Sequence, residues 1–152
     1  MQVLSQLLTP GRTLCRVPVV SRKRLFETIA GAISQDQLSL PTSDVLSQLI
    51  AREELGSTGL GQGIAIPHCR IENCSHPLGT LLTLSEPVDF NAPDDRPVDL
   101  VFALLVPNEA HQQHLDILAN VARLFSQAAF CEQLRSAEDA QALHAIATRW
   151  SE

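Results

Sequence analysis

The residues best placed to do chemistry in this 152-residue chain lie between Arg52 and His68. Gly56, Gly59, Gly61 and Gly63 crowd together there and lead into Ile64-Ala65-Ile66, which stops at Pro67-His68. The pattern presents one imidazole from a strand end, beside a loop whose backbone N–H groups can come close to an anion. A neutral imidazole is a good nucleophile near pH 7, because one ring nitrogen keeps its lone pair. Attack by His68 on a phosphoryl group would give a phosphoramidate, labile enough to pass the group onward. Such a site needs one exposed ring nitrogen, a backbone carbonyl holding the other, and donors for the phosphate oxygens. Ser57, Thr58 and Gly59 in the loop 56–63 are expected to supply those donors.

Two more residues fit that chemistry. His114 falls on the inward stripe of a helix, four residues before Leu118. It lies near that helix's N-terminus, where the dipole favours an anion and a neutral ring. Arg52 comes just before the glycines and has the forked donors that suit a phosphate. Spacing alone also reads His114 as a hydrogen-bonded core histidine and Arg52 as a cation closing a helix C-terminus.

Other chemistries fit less well. No lysine follows the glycines, so the loop is not a P-loop. Its order of helix, glycines, strand is not that of a dinucleotide fingerprint. His68, Cys69, Cys74 and His76 offer zinc ligands but lack the usual paired spacing. Ser57 or Thr58 with His68 lacks a nucleophile-elbow pattern. Asp94, Asp95 and Asp99 read as a polar turn rather than a metal cluster.

The length suits a single domain over residues 1–152. A hydrophobic content of 45% with 18% charged residues is ordinary for a globular protein. No apolar run reaches the ~18 residues of a membrane span, and no signal peptide is visible. The four cysteines then read as reduced thiols in a cytoplasmic protein. A net charge of −6 argues against nucleic acid as a partner. Arg12, Arg16, Arg22, Lys23 and Arg24 precede the first acidic residue; the run reads better as a solvated helix start than as a docking face.

Periodicity predicts the supporting elements. A short strand is expected at 12–16, then a helix from about Arg22 to Gln35 capped by Ser21. A second helix runs from Pro41-Thr42 to about Leu55 and is ended by Gly56. Strands follow at Ile64–Ile66 and Gly79–Leu84, with an extended piece near Val88–Phe90. Val98–Val106 is apolar almost throughout, as a strand covered on both faces must be. Helices are expected over about Glu109–Gln127, over 128–135, and from a Ser136/Asp139 capping box to near Trp150. The fold class is therefore α/β: a three-layer domain, with a mixed central β-sheet and helices on both faces.

These same segments resemble a known family. Glu53, Leu60-Gly61 and Ile64-Ala65-Ile66-Pro67-His68-Cys69 resemble the active-site signature of the fructose/mannitol-type enzyme IIA proteins. Those belong to the bacterial phosphoenolpyruvate-dependent phosphotransferase system. Residues 21–29, 56–68 and 97–107 resemble its nitrogen-regulatory branch in particular. The resemblance implies a phosphoryl carrier without a cofactor, in which a histidine phosphocarrier protein donates to His68. It places the family's second active-site histidine at His114 and its arginine at Arg52. It implies partners of two kinds: the phosphocarrier of the nitrogen branch, and regulatory targets tied to nitrogen or potassium handling. A sugar-transport role feeding an enzyme IIB, and a metal- or partner-binding module without phosphorylation, are the competing expectations. Cys69 stands where the family commonly has glycine, so a redox-sensitive site is also expected.

Overall fold

The computed structural model describes residues 3–109 and 111–150. A short helix α1 (Val3–Leu7) and a 3-10 turn (Pro10–Arg12) lead into β1 (Thr13–Val17). Two helices follow, α2 (Arg22–Asp36) and α3 (Thr42–Glu54), then β2 (Gly59–Gly61), β3 (Ile64–Ala65) and β4 (His68–Ile71). The long strands β5 (Leu78–Val88) and β6 (Val98–Pro107) precede α4 (His111–Phe125), α5 (Ala128–Ser136) and α6 (Ala140–Arg149). Among the described residues, no helix is long and apolar enough to cross a membrane.

The strands form one mixed sheet in the order β1-β5-β6-β3-β2, with β4 also on β6. β5 and β6 are antiparallel, whereas β1 runs parallel to β5 and both β3 and β4 run parallel to β6. β3 and β4 keep one register against β6, so they are a single line of chain interrupted at Ile66-Pro67. Pro67 has no N–H, and the ladder loses a rung there.

Alternation along β6 explains its unbroken apolar run. Val101, Ala103 and Leu105 face the core under α2 and α3. Leu100, Phe102, Leu104 and Val106 face the core under α1, α4, α5 and α6. A strand buried on both sides has no polar face to show. The three-layer expectation is therefore what the chain forms.

Ser21 caps α2 as expected, its hydroxyl accepting from Arg24 N–H at 3.1 Å. Three local expectations change. The piece near Val88 is the end of β5, which runs on through an irregularity between Thr83 and Val88. The last helix is capped by Asp139, which accepts from Ala142 N–H at 2.7 Å, while Ser136 ends α5. The helix expected from about Glu109 runs from His111, and Ala110 lies outside the described residues.

The basic run is also dispersed. Arg12 is buried, donating to Asp36 at 2.7 Å and to the Leu7 and Gly79 carbonyls at 3.0 and 2.8 Å. It ties α1, α2 and β5 together and presents nothing to a partner.

Candidate active site

The glycine segment folds as a hairpin. β2 and β3 pair antiparallel across Gln62-Gly63, where φ is +60° and +79°. Positive φ at both central positions is what a two-residue turn between twisted strands requires; Gly63 accepts it without strain, and Gln62 is held in it by its neighbours. Asp94 holds the turn by accepting from Gln62 N–H at 2.9 Å. Arg135 closes it from the other side, donating to the Gln62 carbonyl at 2.8 Å and to Asp99 at 3.1 Å. Asp94 and Asp99 of the polar turn are thus anchors for the loop.

His68 opens β4 immediately after the break at Pro67. Its Nδ1 lies 2.7 Å from the Ile66 carbonyl oxygen. A carbonyl can only accept, so Nδ1 carries the proton and Nε2 keeps its lone pair. Burial holds the His68 pKa below the usual histidine value, and the Arg52 charge adds to this. The Ile66 carbonyl and the Glu53 charge pull the other way without reversing the shift. The ring is therefore neutral near pH 7, with Nε2 available as a nucleophile.

His114 reaches the same place from the first turn of α4. The two rings meet edge to face, with centroids 5.6 Å apart and planes at 88°. His114 is 8% exposed, and its Nδ1 is buried without a hydrogen-bond partner. Burial lowers its pKa, helped by His68, Arg70 and Arg52. An uncharged ring with an unpartnered Nδ1 carries its proton most cheaply on Nε2, the nitrogen still able to donate.

Arg52 stands in the last turn of α3 and donates to the Gly56 carbonyl at 3.0 Å. Its charge is felt by both histidines. The structure thus sets the His68 and His114 rings in contact, with the Arg52 charge near enough to act on both. The loop donors turn inward instead. Thr58 N–H and Oγ1–H donate to Glu53 at 3.0 and 2.6 Å. Ser57 Oγ donates to the Phe90 carbonyl at 2.8 Å and accepts from Gly59 N–H at 3.0 Å.

Arg70 is the residue that sequence reading missed. It follows His68 by two positions in β4, so both share one face of the strand. It is exposed, and its charge reaches His114. The only signal for it was strand parity, which needed β4 to be recognised as a strand.

Cys69 points the opposite way, into the core under α2 and α3. Burial pushes its thiol pKa up to about 12. The thiolate is the reactive form, so the expected redox sensitivity of this position is corrected. Cys74 Sγ donates to the His76 carbonyl at 3.0 Å, apart from the His68 ring. Among the described residues, no three His, Cys, Asp or Glu side chains gather as a metal site.

Comparison with known proteins places the chain in a family. Residues 6–149 match the family described as "Phosphoenolpyruvate-dependent sugar phosphotransferase system, EIIA 2". A nitrogen regulatory protein of Pseudomonas aeruginosa is 47% identical over 143 residues, 94% of this chain and 93% of that protein. One from Escherichia coli K12 is 40% identical over 146 residues, covering 95% and 89%. The crystal structure of nitrogen regulatory protein IIA-Ntr from Neisseria meningitidis superposes with a TM-score of 0.89 at 41% identity, covering 97% of this chain and all of that one. The mannitol IIA of Escherichia coli shares the fold, with a TM-score of 0.76 at 16% identity over 92% of this chain and 98% of that one. The chain belongs to the EIIA 2 family of the phosphotransferase system. Within that family, its likeness runs to the nitrogen-regulatory branch.

Proposed function

We propose that this protein is a cytoplasmic regulator that accepts a phosphoryl group on His68. The observation that carries the reading is the Nδ1 hydrogen bond to the Ile66 carbonyl, which leaves Nε2 as a neutral nucleophile beside His114 and Arg52. The donor is the phosphohistidine of the nitrogen-branch phosphocarrier protein. The Nε2 lone pair attacks phosphorus as the donor's N–P bond breaks, and that bond's electron pair returns to the donor imidazole. The Nδ1 proton stays with His68 throughout. As positive character builds on the ring, its bond to the Ile66 carbonyl strengthens.

Arg52 and the Nε2–H of His114 stabilise the phosphoryl oxygens, with Arg70 at the rim. Ser57, Thr58 and Gly59 border the phosphate site and hold its loop through Glu53 and Phe90. No cofactor enters, since the donor is already an activated phosphoramidate. The phosphorylated and bare forms then differ by a dianionic group at the mouth of the site. Regulatory targets in nitrogen or potassium handling read that difference.

The test is incubation with phosphoenolpyruvate, enzyme I and the phosphocarrier. An acid-labile, base-stable phosphate on the wild type, absent from His68→Ala, is the expected result. Wild-type protein that takes no label would overturn the reading.

A further inference from the structure

Glu53 has a buried carboxylate that the phosphoryl chemistry does not use. Its side chain is 4% exposed. Burying a carboxylate is unfavourable unless donors gather on it. Three do: Thr58 N–H at 3.0 Å, Thr58 Oγ1–H at 2.6 Å and Arg22 Nη1–H at 3.4 Å. The end of α3 does not need this hub, because the Leu55 and Gly56 N–H groups already bond the Arg52 and Glu53 carbonyls.

The hub does lead to His68. The Thr58 carbonyl accepts from Ile66 N–H at 3.0 Å, and the Ile66 carbonyl accepts from His68 Nδ1–H at 2.7 Å. On the other side of the break, the Pro67 carbonyl accepts from Leu104 N–H at 2.8 Å. The sheet therefore holds Pro67 from β6, whereas the Ile66 N–H is held by Thr58. Arg22, which also donates to the Phe90 carbonyl at 3.3 Å, closes the carboxylate from solvent.

We propose that Glu53 is a positioning residue which, through Thr58 and Ile66, fixes His68 in its Nδ1–H tautomer with Nε2 directed outward. Only the effect on rate rests on the reading of His68 as phosphoryl acceptor. The tautomer is a property of the resting protein. Among the described residues, the charged and titratable groups acting on the ring are Arg52, Glu53 and His114, with Arg70 acting on His114. Glu53 supplies the negative charge among them.

The experiment is imidazole 15N NMR at pH 8 on wild type, Glu53→Gln and Thr58→Val, with phosphorylation rates measured alongside. Wild type should show one His68 tautomer, protonated at Nδ1. Both variants should populate the Nε2–H form. Phosphorylation at saturating carrier should slow by roughly ten- to a hundredfold, as a misplaced reacting group does, with KM for the carrier unchanged. Thr58→Ser should restore the tautomer that Thr58→Val loses. A folded Glu53→Gln or Thr58→Val that keeps the wild-type tautomer overturns the proposal, whatever its rate. If Glu53→Gln fails to fold, Thr58→Val decides alone. A Glu53-dependent tautomer in a wild-type protein that accepts no phosphoryl group would support the positioning role and sink the functional reading instead.

Discussion

The rings of His68 and His114 meet at 88° with centroids 5.6 Å apart, although they stand on a strand and a helix far apart in sequence. The contact joins the proposed nucleophile to a second imidazole whose pKa is likewise lowered by burial. Two neutral rings side by side avoid the repulsion that two imidazolium ions would suffer. In the proposed reaction they also leave one ring to attack and the other to donate.

The first prediction concerns pH. Both histidines have folded-state pKa values below the ordinary 6.5. Phosphoryl acceptance should stay constant as pH falls from 8 through 6.5, and decline only below that. Stability changes in the same window. Below 6.5 the unfolded chain protonates these residues first, so stability is full above 6.5 and falls as pH drops toward the folded values. Phosphorylation rates and urea titrations between pH 8 and 5 check both. A rate that halves near 6.5 would contradict the lowered His68 value.

The second concerns His114. In His114→Ala, His68 should still be phosphorylated, but roughly a hundredfold more slowly, the usual loss when one preorganised donor is removed. In His68→Ala, the His114 pKa should move toward its ordinary value, because His68 contributes to its depression. Rapid-quench phosphorylation and NMR titration measure the two effects.

A third prediction addresses Cys69. Its side chain is 6% exposed and its pKa is about 12, so it should resist thiol reagents until the protein unfolds. Cys15, which is only partly buried, should react first. Peroxide at levels that spare the fold should leave the phosphorylation rate unchanged. Mass spectrometry of timed labelling reads the order of modification.

The fourth concerns Arg12. Its guanidinium is 3% exposed and satisfies two backbone carbonyls as well as Asp36. Arg12→Met should destabilise the fold by about 2–4 kcal/mol, since the carbonyls lose their donor and Asp36 its partner. Burial alone would raise the Asp36 pKa, but the Arg12 hydrogen bond and charge leave it below 3.8. That contribution is present above pH 3.8 and is lost as pH falls toward the folded value. The variant should lack that acid-dependent loss, as urea unfolding at pH 7 and pH 3 would show.

The sequence by itself determined what local chemistry and periodicity can determine. Ser21 and the apolar stripe of Leu25, Phe26, Ile29 and Ile33 specify α2. The doubly apolar β6 specifies a sheet covered on both faces. Pro67 specifies the interruption after which His68 stands. The glycine loop was legible, but its closing as a β2–β3 hairpin over Gln62-Gly63 was not, since Asp94 and Arg135 hold that turn from far along the chain. The tertiary structure decided everything that depends on which face a side chain takes and what covers it. Successive side chains in a strand point to opposite sides, so Cys69 entered the core while His68 and Arg70 stayed at the site. The length of β4 is only four residues, too short for its parity to be read from the pattern. The loop donors looked free in sequence, yet Glu53 and the Phe90 carbonyl come from elsewhere in the fold to meet them. Arg12 looked like a surface cation until α1, α2 and β5 closed around it. In each case the outcome depends on packing: Phe90, Asp36 and Gly79 come from far along the chain, and even the nearby Glu53 meets Thr58 only once α3 and the loop have folded. Burial and hydrogen bonding are properties of the packed molecule, so spacing alone does not carry them.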